Sequence, residues 1–179
     1  MRMLKGNKAP QFEMVALSGK TVTLNPPKDG KILLSFYRYA SCPLCNLRVS
    51  ELNELYPQIK AGGMEMIAVF QSPEASLKAY VGKQNVPFEI IPDPEQKLYK
   101  IYGLEKSLLG MLKSMFKPGK FSEAMRKGFK VGPSEGPKTQ IPADFIIDEN
   151  NSILEAFYGN DIGDHMPVES IFKYLNKGE

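Results

Sequence analysis

Apolar residues recur along this chain with two alternating periods, and they predict strands and helices in turn. Residues 8–27 read as a β-rich lead-in. Pro10-Gln11-Phe12-Glu13-Met14 alternates, Ser18-Gly19-Lys20 turns, and Thr21-Val22-Thr23-Leu24 alternates again. Asn25-Pro26-Pro27 and Asp29-Gly30 punctuate the next boundary. Lys31 to Tyr37 is nearly continuous in apolar residues, the pattern of a central strand covered on both faces. From Pro43 the period becomes helical through Leu44, Leu47, Leu52, Leu55 and Ile59, until Gly62-Gly63 stops the helix.

Met64 to Phe70 predicts a second buried strand. Ser72 is placed to cap a helix with Pro73 at its first position, running to about Gln84. Phe88 to Ile91 reads as a short strand closed by Pro92, and Asp93-Pro94 starts a short helix through Tyr102. Ala143–Asp148 and Ser152–Tyr158 form an antiparallel pair about Glu149-Asn150-Asn151, and a last helix runs from near Pro167 to around Asn176. This order predicts a single α/β domain over 1–179, with a mixed central sheet flanked by helices and an N-terminal β-hairpin.

A helical insertion interrupts the pattern near 105–140. Leu108, Leu109, Met111, Leu112, Met115 and Phe116 outline one amphipathic helix, and Phe121, Met125 and Phe129 a second, with Pro118-Gly119 between them. Gly132, Pro133, Gly136 and Pro137 mark a mobile loop. Lysines and arginines outnumber acids here. The spacing predicts a helical pair packed on the sheet with solvated lysines. A partner-docking or dithiol-shielding surface is the functional alternative, and a membrane-surface contact the weaker one.

Composition narrows the function classes. A net charge of +3 gives no case for nucleic acid, and no apolar run has the length of a membrane span. The first eight residues carry basic groups but no apolar core of a secretory signal, so the expected setting is reducing and cytoplasmic. No nucleotide-binding fingerprint occurs and no cofactor is called for.

The only two cysteines, Cys42 and Cys45, form one C-x-x-C between a strand end and a helix start. A bridge closing two intervening residues adds little stability, so the value of the pair is chemical. At the helix start Cys42 would meet unsatisfied N–H groups and the helix dipole, which favour a thiolate. Cys45 lies one turn inward, placed to resolve a mixed disulfide on an exposed Cys42. A closed zinc site needs four ligands, and the chain offers these two cysteines and His165. A Cu(I) carrier using two thiolates and a non-catalytic interaction module stay open as alternatives.

The segment Phe36-Tyr37-Arg38-Tyr39-Ala40-Ser41-Cys42-Pro43-Leu44-Cys45-Asn46-Leu47-Arg48 resembles the active-site segment of peroxiredoxin-like proteins of the alkyl-hydroperoxide-reductase/thiol-specific-antioxidant (AhpC/TSA) group. Gly6-Asn7-Lys8-Ala9-Pro10-Gln11-Phe12 with Ser18-Gly19-Lys20 is similar to that group's opening hairpin, and Ile141-Pro142-Ala143-Asp144-Phe145-Ile146-Ile147-Asp148 to its late strand. The resemblance implies a thioredoxin fold with Cys42 at the peroxidatic position. It also implies a cis Ile141–Pro142 bond facing Cys42, where backbone groups would hold a substrate peptide. Ser35 and Tyr39 stand where peroxiredoxins place a proline and a threonine or serine, and Pro142 aligns near their arginine. Thioredoxin itself is not matched: Ser41 replaces its tryptophan, and Phe36 stands where it buries an aspartate.

Arg38 and Arg48 flank the motif, and each is either a thiolate or peroxide partner or a solvated charge. His165, in the loop before the last helix, is read as polar surface or cap in preference to a proton relay, because no carboxylate partner is evident. The expected activity is thiol–disulfide exchange, with hydroperoxide reduction as the nearest rival. Electrons would arrive from a thiol reductant such as thioredoxin or glutathione, and the substrate would be a disulfide or a peroxide.

Overall fold

A computed structural model describes residues 1–114 and 118–176. In the central sheet, β3 (Lys31–Phe36), β4 (Met64–Phe70) and β5 (Glu89–Pro92) run parallel, and β6 (Ala143–Asp148) runs antiparallel to both of its neighbours, β3 and β7 (Ile153–Tyr158), in the order β5-β4-β3-β6-β7. β1 (Glu13–Val15) and β2 (Thr21–Thr23) form the separate N-terminal hairpin. The five strands are thus the expected mixed sheet.

The apolar run of β3 feeds two cores because successive side chains point to opposite faces. Leu33 and Tyr37 join one core with Val49, Leu52 and Ile59 of α1 (Pro43–Ala61), Leu77 of α2 (Glu74–Ala79) and Ile171 of α6 (Val168–Phe172). Ile32, Leu34 and Phe36 join the other, with Leu98 and Tyr99 of α3 (Lys97–Ile101), Tyr102, and Ala9 and Leu24 of the lead-in. The Tyr99 hydroxyl donates to the carbonyls of Tyr37 at 2.7 Å and Val69 at 3.1 Å. It therefore ties together the carboxyl ends of the two central strands.

Several boundaries differ from those the sequence predicts, each for a local reason. Ser72 does not cap α2; its hydroxyl accepts the Ala40 N–H at 2.8 Å, and the helix stops at Ala79 before a 3₁₀ turn over Val81–Gln84. α3 begins only at Lys97, where the Asp93 carboxylate accepts the Lys97 and Leu98 N–H groups. The last helix is shorter than the sequence predicts and ends at Phe172.

The insertion departs most. It forms α4 (Leu108–Ser114) and α5 (Pro118–Arg126), with Pro118 opening the second helix. α5 packs on α1 and not on the sheet. Leu108, Leu109 and Leu112 remain 68%, 63% and 50% exposed, so helical spacing of apolar residues did not mean burial here. Met115 and Phe116 lie outside the described residues. The expected mobile loop is seated: residues 131–140 are held by hydrogen bonds to Arg38 and Ser41 beyond β3, to Gln71 beyond β4, and to Gln96. No helix among the described residues is long and apolar enough to cross a membrane.

Candidate active site

The chain leaves β3 at Phe36 and turns before α1, so Cys42 arrives at the helix mouth as its N-cap with Pro43 inside the first turn. Its backbone is extended, φ −68° and ψ 117°. The Cys42 N–H donates to Tyr39 O at 3.0 Å, and the Asn46 side-chain amide donates to Ala40 O at 2.7 Å and Cys42 O at 3.0 Å. The loop carrying the sulfur is fixed by its own backbone.

Both cysteines are free thiols. The Cys45 thiol donates a hydrogen bond to the Cys42 sulfur, and this is the largest force lowering the Cys42 pKa, to about 6. Burial opposes it, while the Arg38 charge and the N–H groups of Cys45 and Leu44 add to it. Arg38 Nη1 lies 3.5 Å from Cys42 Sγ. Burial, and the proton it lends to Cys42, push the Cys45 thiol well up. The pair is therefore polarised, with an ionised outer sulfur and a protonated inner one.

Two consequences can be measured. Thiolate ultraviolet absorbance of reduced protein should rise with a midpoint near pH 6, and Arg38→Met should move that midpoint upward. An unmoved midpoint would show that the guanidinium does not stabilise the anion. Because the folded pKa of Cys42 lies below its ordinary 9.0, the unfolded chain binds the extra proton between those values. Stability of the reduced protein should therefore climb between about pH 6 and 9 relative to Cys42→Ser, read by denaturant melts at each pH.

Cys42 is not exposed as expected: its relative accessibility is 1%, the same as Cys45. The 131–140 segment lies against the residues on either side of it. Ser41 Oγ donates to Pro133 O at 2.6 Å, Arg38 Nη2 donates to Lys138 O, and Gln71 Nε2 donates to Glu135 O at 2.7 Å and Pro137 O at 3.1 Å. Gln96 donates to both Gln71 Oε1 and Gln140 Oε1, closing a buried amide network. Gln71, Gln96 and Gln140 were missed from sequence; the signal was a polar pair, Gln71-Ser72, directly after the apolar run of β4.

The expected cis Ile141–Pro142 is corrected as well, since no cis peptide bond occurs among the described residues. The trans bond suits an extended approach into β6, with Ile141 N–H donating to Glu105 O at 3.0 Å and Pro142 O accepting from Gly159 at 3.0 Å. Tyr39 is 9% exposed, and the Arg38 guanidinium lies over its ring, 4.9 Å from the centroid. Arg48 reaches neither sulfur by a hydrogen bond; it donates to Met166 O and Glu51, each at 2.5 Å.

His165 is neither surface nor cap. It is buried, and its Nδ1 lies 3.2 and 3.1 Å from the two carboxylate oxygens of Asp144. Its ring packs on Tyr37 with centroids 4.7 Å apart. Burial would raise the Asp144 pKa, but His165, Arg48 and the Met166 N–H outweigh it and hold the carboxyl below its usual range. The missed partner was legible as a lone acid within the apolar run of β6. Asp144 sits opposite Ser35 in the sheet register. On the outside, His165 and Leu44 line a cleft of about 440 Å³ between α1, α5 and the 163–169 loop.

A dithiol capping the helix that follows a central strand of a mixed sheet defines a thioredoxin-fold thiol protein. Comparison with known proteins narrows the class: the sequence pattern of the AhpC/TSA family matches residues 5–156, and the chain belongs to that family. It is 31% identical to chloroplastic peroxiredoxin Q of Triticum aestivum over 111 residues, covering 62% of this chain and 51% of that protein. It is 25% identical to the thiol-disulfide oxidoreductase ResA of Bacillus anthracis over 177 residues, covering 98% of this chain and 79% of that one. The chain thus spans about half the length of the wheat relative. Among solved structures, PrxQ of Xylella fastidiosa superposes with a TM-score of 0.69 at 16% identity, covering 97% and 96% of the two chains, a likeness of fold.

Proposed function

We propose that this chain is a thiol-dependent oxidoreductase working through Cys42 and Cys45. The observation that carries the reading is the polarised pair: a thiolate held by Arg38 and a helix start, with its proton donor one turn deeper. The Cys42 thiolate attacks a disulfide, forms a mixed disulfide and expels one thiolate. Cys45 then attacks the Cys42 sulfur, releases the second thiolate, and passes its proton to the departing products. The client gains two electrons and the dithiol becomes a disulfide, which a thiol reductant such as thioredoxin or glutathione restores.

Hydroperoxide reduction is the second reading, favoured by the similarity to peroxiredoxin Q. There the thiolate takes one peroxide oxygen as sulfenic acid and releases an alcohol or water, and Cys45 expels water to form the same disulfide. The positions that carry a proline and a hydroxyl residue in peroxiredoxins are Ser35, buried within β3, and Tyr39, whose ring lies under Arg38. Disulfide exchange is therefore expected to be the faster reaction. Stopped-flow mixing of reduced protein with a disulfide substrate and with hydrogen peroxide ranks the two. A peroxide rate above the disulfide rate reverses the order.

A further inference from the structure

The roof over Cys42 contacts the site in an unusual way. Three buried side chains donate to residues 133–138, and each donates to main chain. Ser41 Oγ takes Pro133 O, Gln71 Nε2 takes Glu135 O and Pro137 O, and Arg38 Nη2 takes Lys138 O. Ser41, Gln71 and Arg38 are each no more than 3% exposed. No regular secondary structure occurs over 131–139, so these carbonyls have no ladder of their own to complete. Ser76 adds one side-chain contact, to the Glu135 carboxylate. The donor row thus reads backbone and is nearly indifferent to side-chain identity.

Fit at Gly132 shows how closely the segment is seated. A Cβ there would fall 2.6 Å from Tyr80 Oη and 2.8 Å from Ser41 Cβ. With the segment down, the sulfur is sealed, and no disulfide can approach Cys42 in line with a bond to be broken.

We propose that the row Ser41, Gln71 and Arg38 is a binding site for extended polypeptide main chain, and that residues 131–138 are a displaceable internal occupant of it. This rests on the disulfide-exchange reading and names its substrate class: a disulfide carried in an extended, locally unfolded stretch of protein. A client strand takes over the carbonyl contacts as the segment lifts, so uncovering Cys42 and holding the client are one event. Small disulfides lack the main chain to make that exchange and react slowly.

The test uses full-length reduced protein and needs no turnover. The rate of Cys42 alkylation by iodoacetamide is measured for the wild type, for Gly132→Leu, which cannot seat the segment, and for Ser41→Ala, which removes one donor and leaves the fold intact. Gly132→Leu should be alkylated about tenfold faster or more, and Ser41→Ala about fivefold faster, the worth of one hydrogen bond. The thiolate midpoint should not rise in Gly132→Leu, because lifting the segment removes burial, which opposes ionisation. A thiol-free synthetic peptide with the sequence of residues 130–139 should then slow alkylation of Gly132→Leu back toward the wild-type rate. Equal alkylation rates in all three proteins overturn the roof, and faster alkylation without protection by the peptide overturns the polypeptide site. If the protein reduces neither disulfide nor peroxide, the activity reading fails while the alkylation rates still report on the roof.

Discussion

Cys42→Ser should lower disulfide reduction by at least about a thousandfold, because the one remaining thiol, Cys45, is held protonated by burial. Cys45→Ser should behave differently. The first half-reaction survives, the resolving step does not, and covalent mixed disulfides with client proteins accumulate on non-reducing gels. A serine hydroxyl still donates to the Cys42 sulfur, whereas Cys45→Ala removes the largest force lowering its pKa. Cys45→Ala should therefore shift the thiolate midpoint upward and form mixed disulfides more slowly at neutral pH than Cys45→Ser. If both variants react alike, the inner thiol does not tune the outer one. If Cys42→Ser retains turnover and Cys45→Ser does not, the roles are reversed.

The second large effect is on stability. Asp144 and His165 are buried together, with the Met166 N–H completing the carboxylate's contacts at 2.7 Å. Asp144→Ala leaves the imidazole and that N–H without their acceptor, and it should cost about 3 kcal/mol in urea melts at neutral pH. Asp144→Asn keeps the shape and one acceptor oxygen, so it should cost less. The pH dependence follows from the depressed Asp144 pKa: the carboxylate's contribution is complete above the ordinary carboxyl range and is lost as pH falls through the lower, folded value. The wild-type advantage over Asp144→Asn should therefore shrink in acid. An advantage independent of pH would mean that the carboxylate's charge contributes nothing.

Much of this was legible in the pattern of residues. β3, β4 and β6 showed as apolar runs because central strands bury both faces. Cys42 and Cys45 showed because a strand end followed by a helix start is a chemical context that two cysteines share only for a reason. What stayed hidden depended on contacts far apart in sequence. Asp144 pairs with a histidine 21 residues on, and Arg38 meets Lys138 across 100 residues. The glycine- and proline-rich stretch beside the Cys42 loop carries local signals that denote a loop but not where it lies. The exposed leucines of α4 mislead for a related reason: periodicity reports an amphipathic helix, not what covers it.

The Tyr99 hydroxyl, shared between the last carbonyls of two parallel strands, divides the molecule into parts with different obligations. Below it, sheet and α1 form a stiff anvil on which the sulfur's position is set. Above it, residues 131–138 meet the loop before α1 and the end of β4 chiefly through main-chain carbonyls and a tight approach at Gly132. Side-chain changes over 131–138 are therefore cheap wherever that approach is respected. The reacting atoms underneath stay where they were.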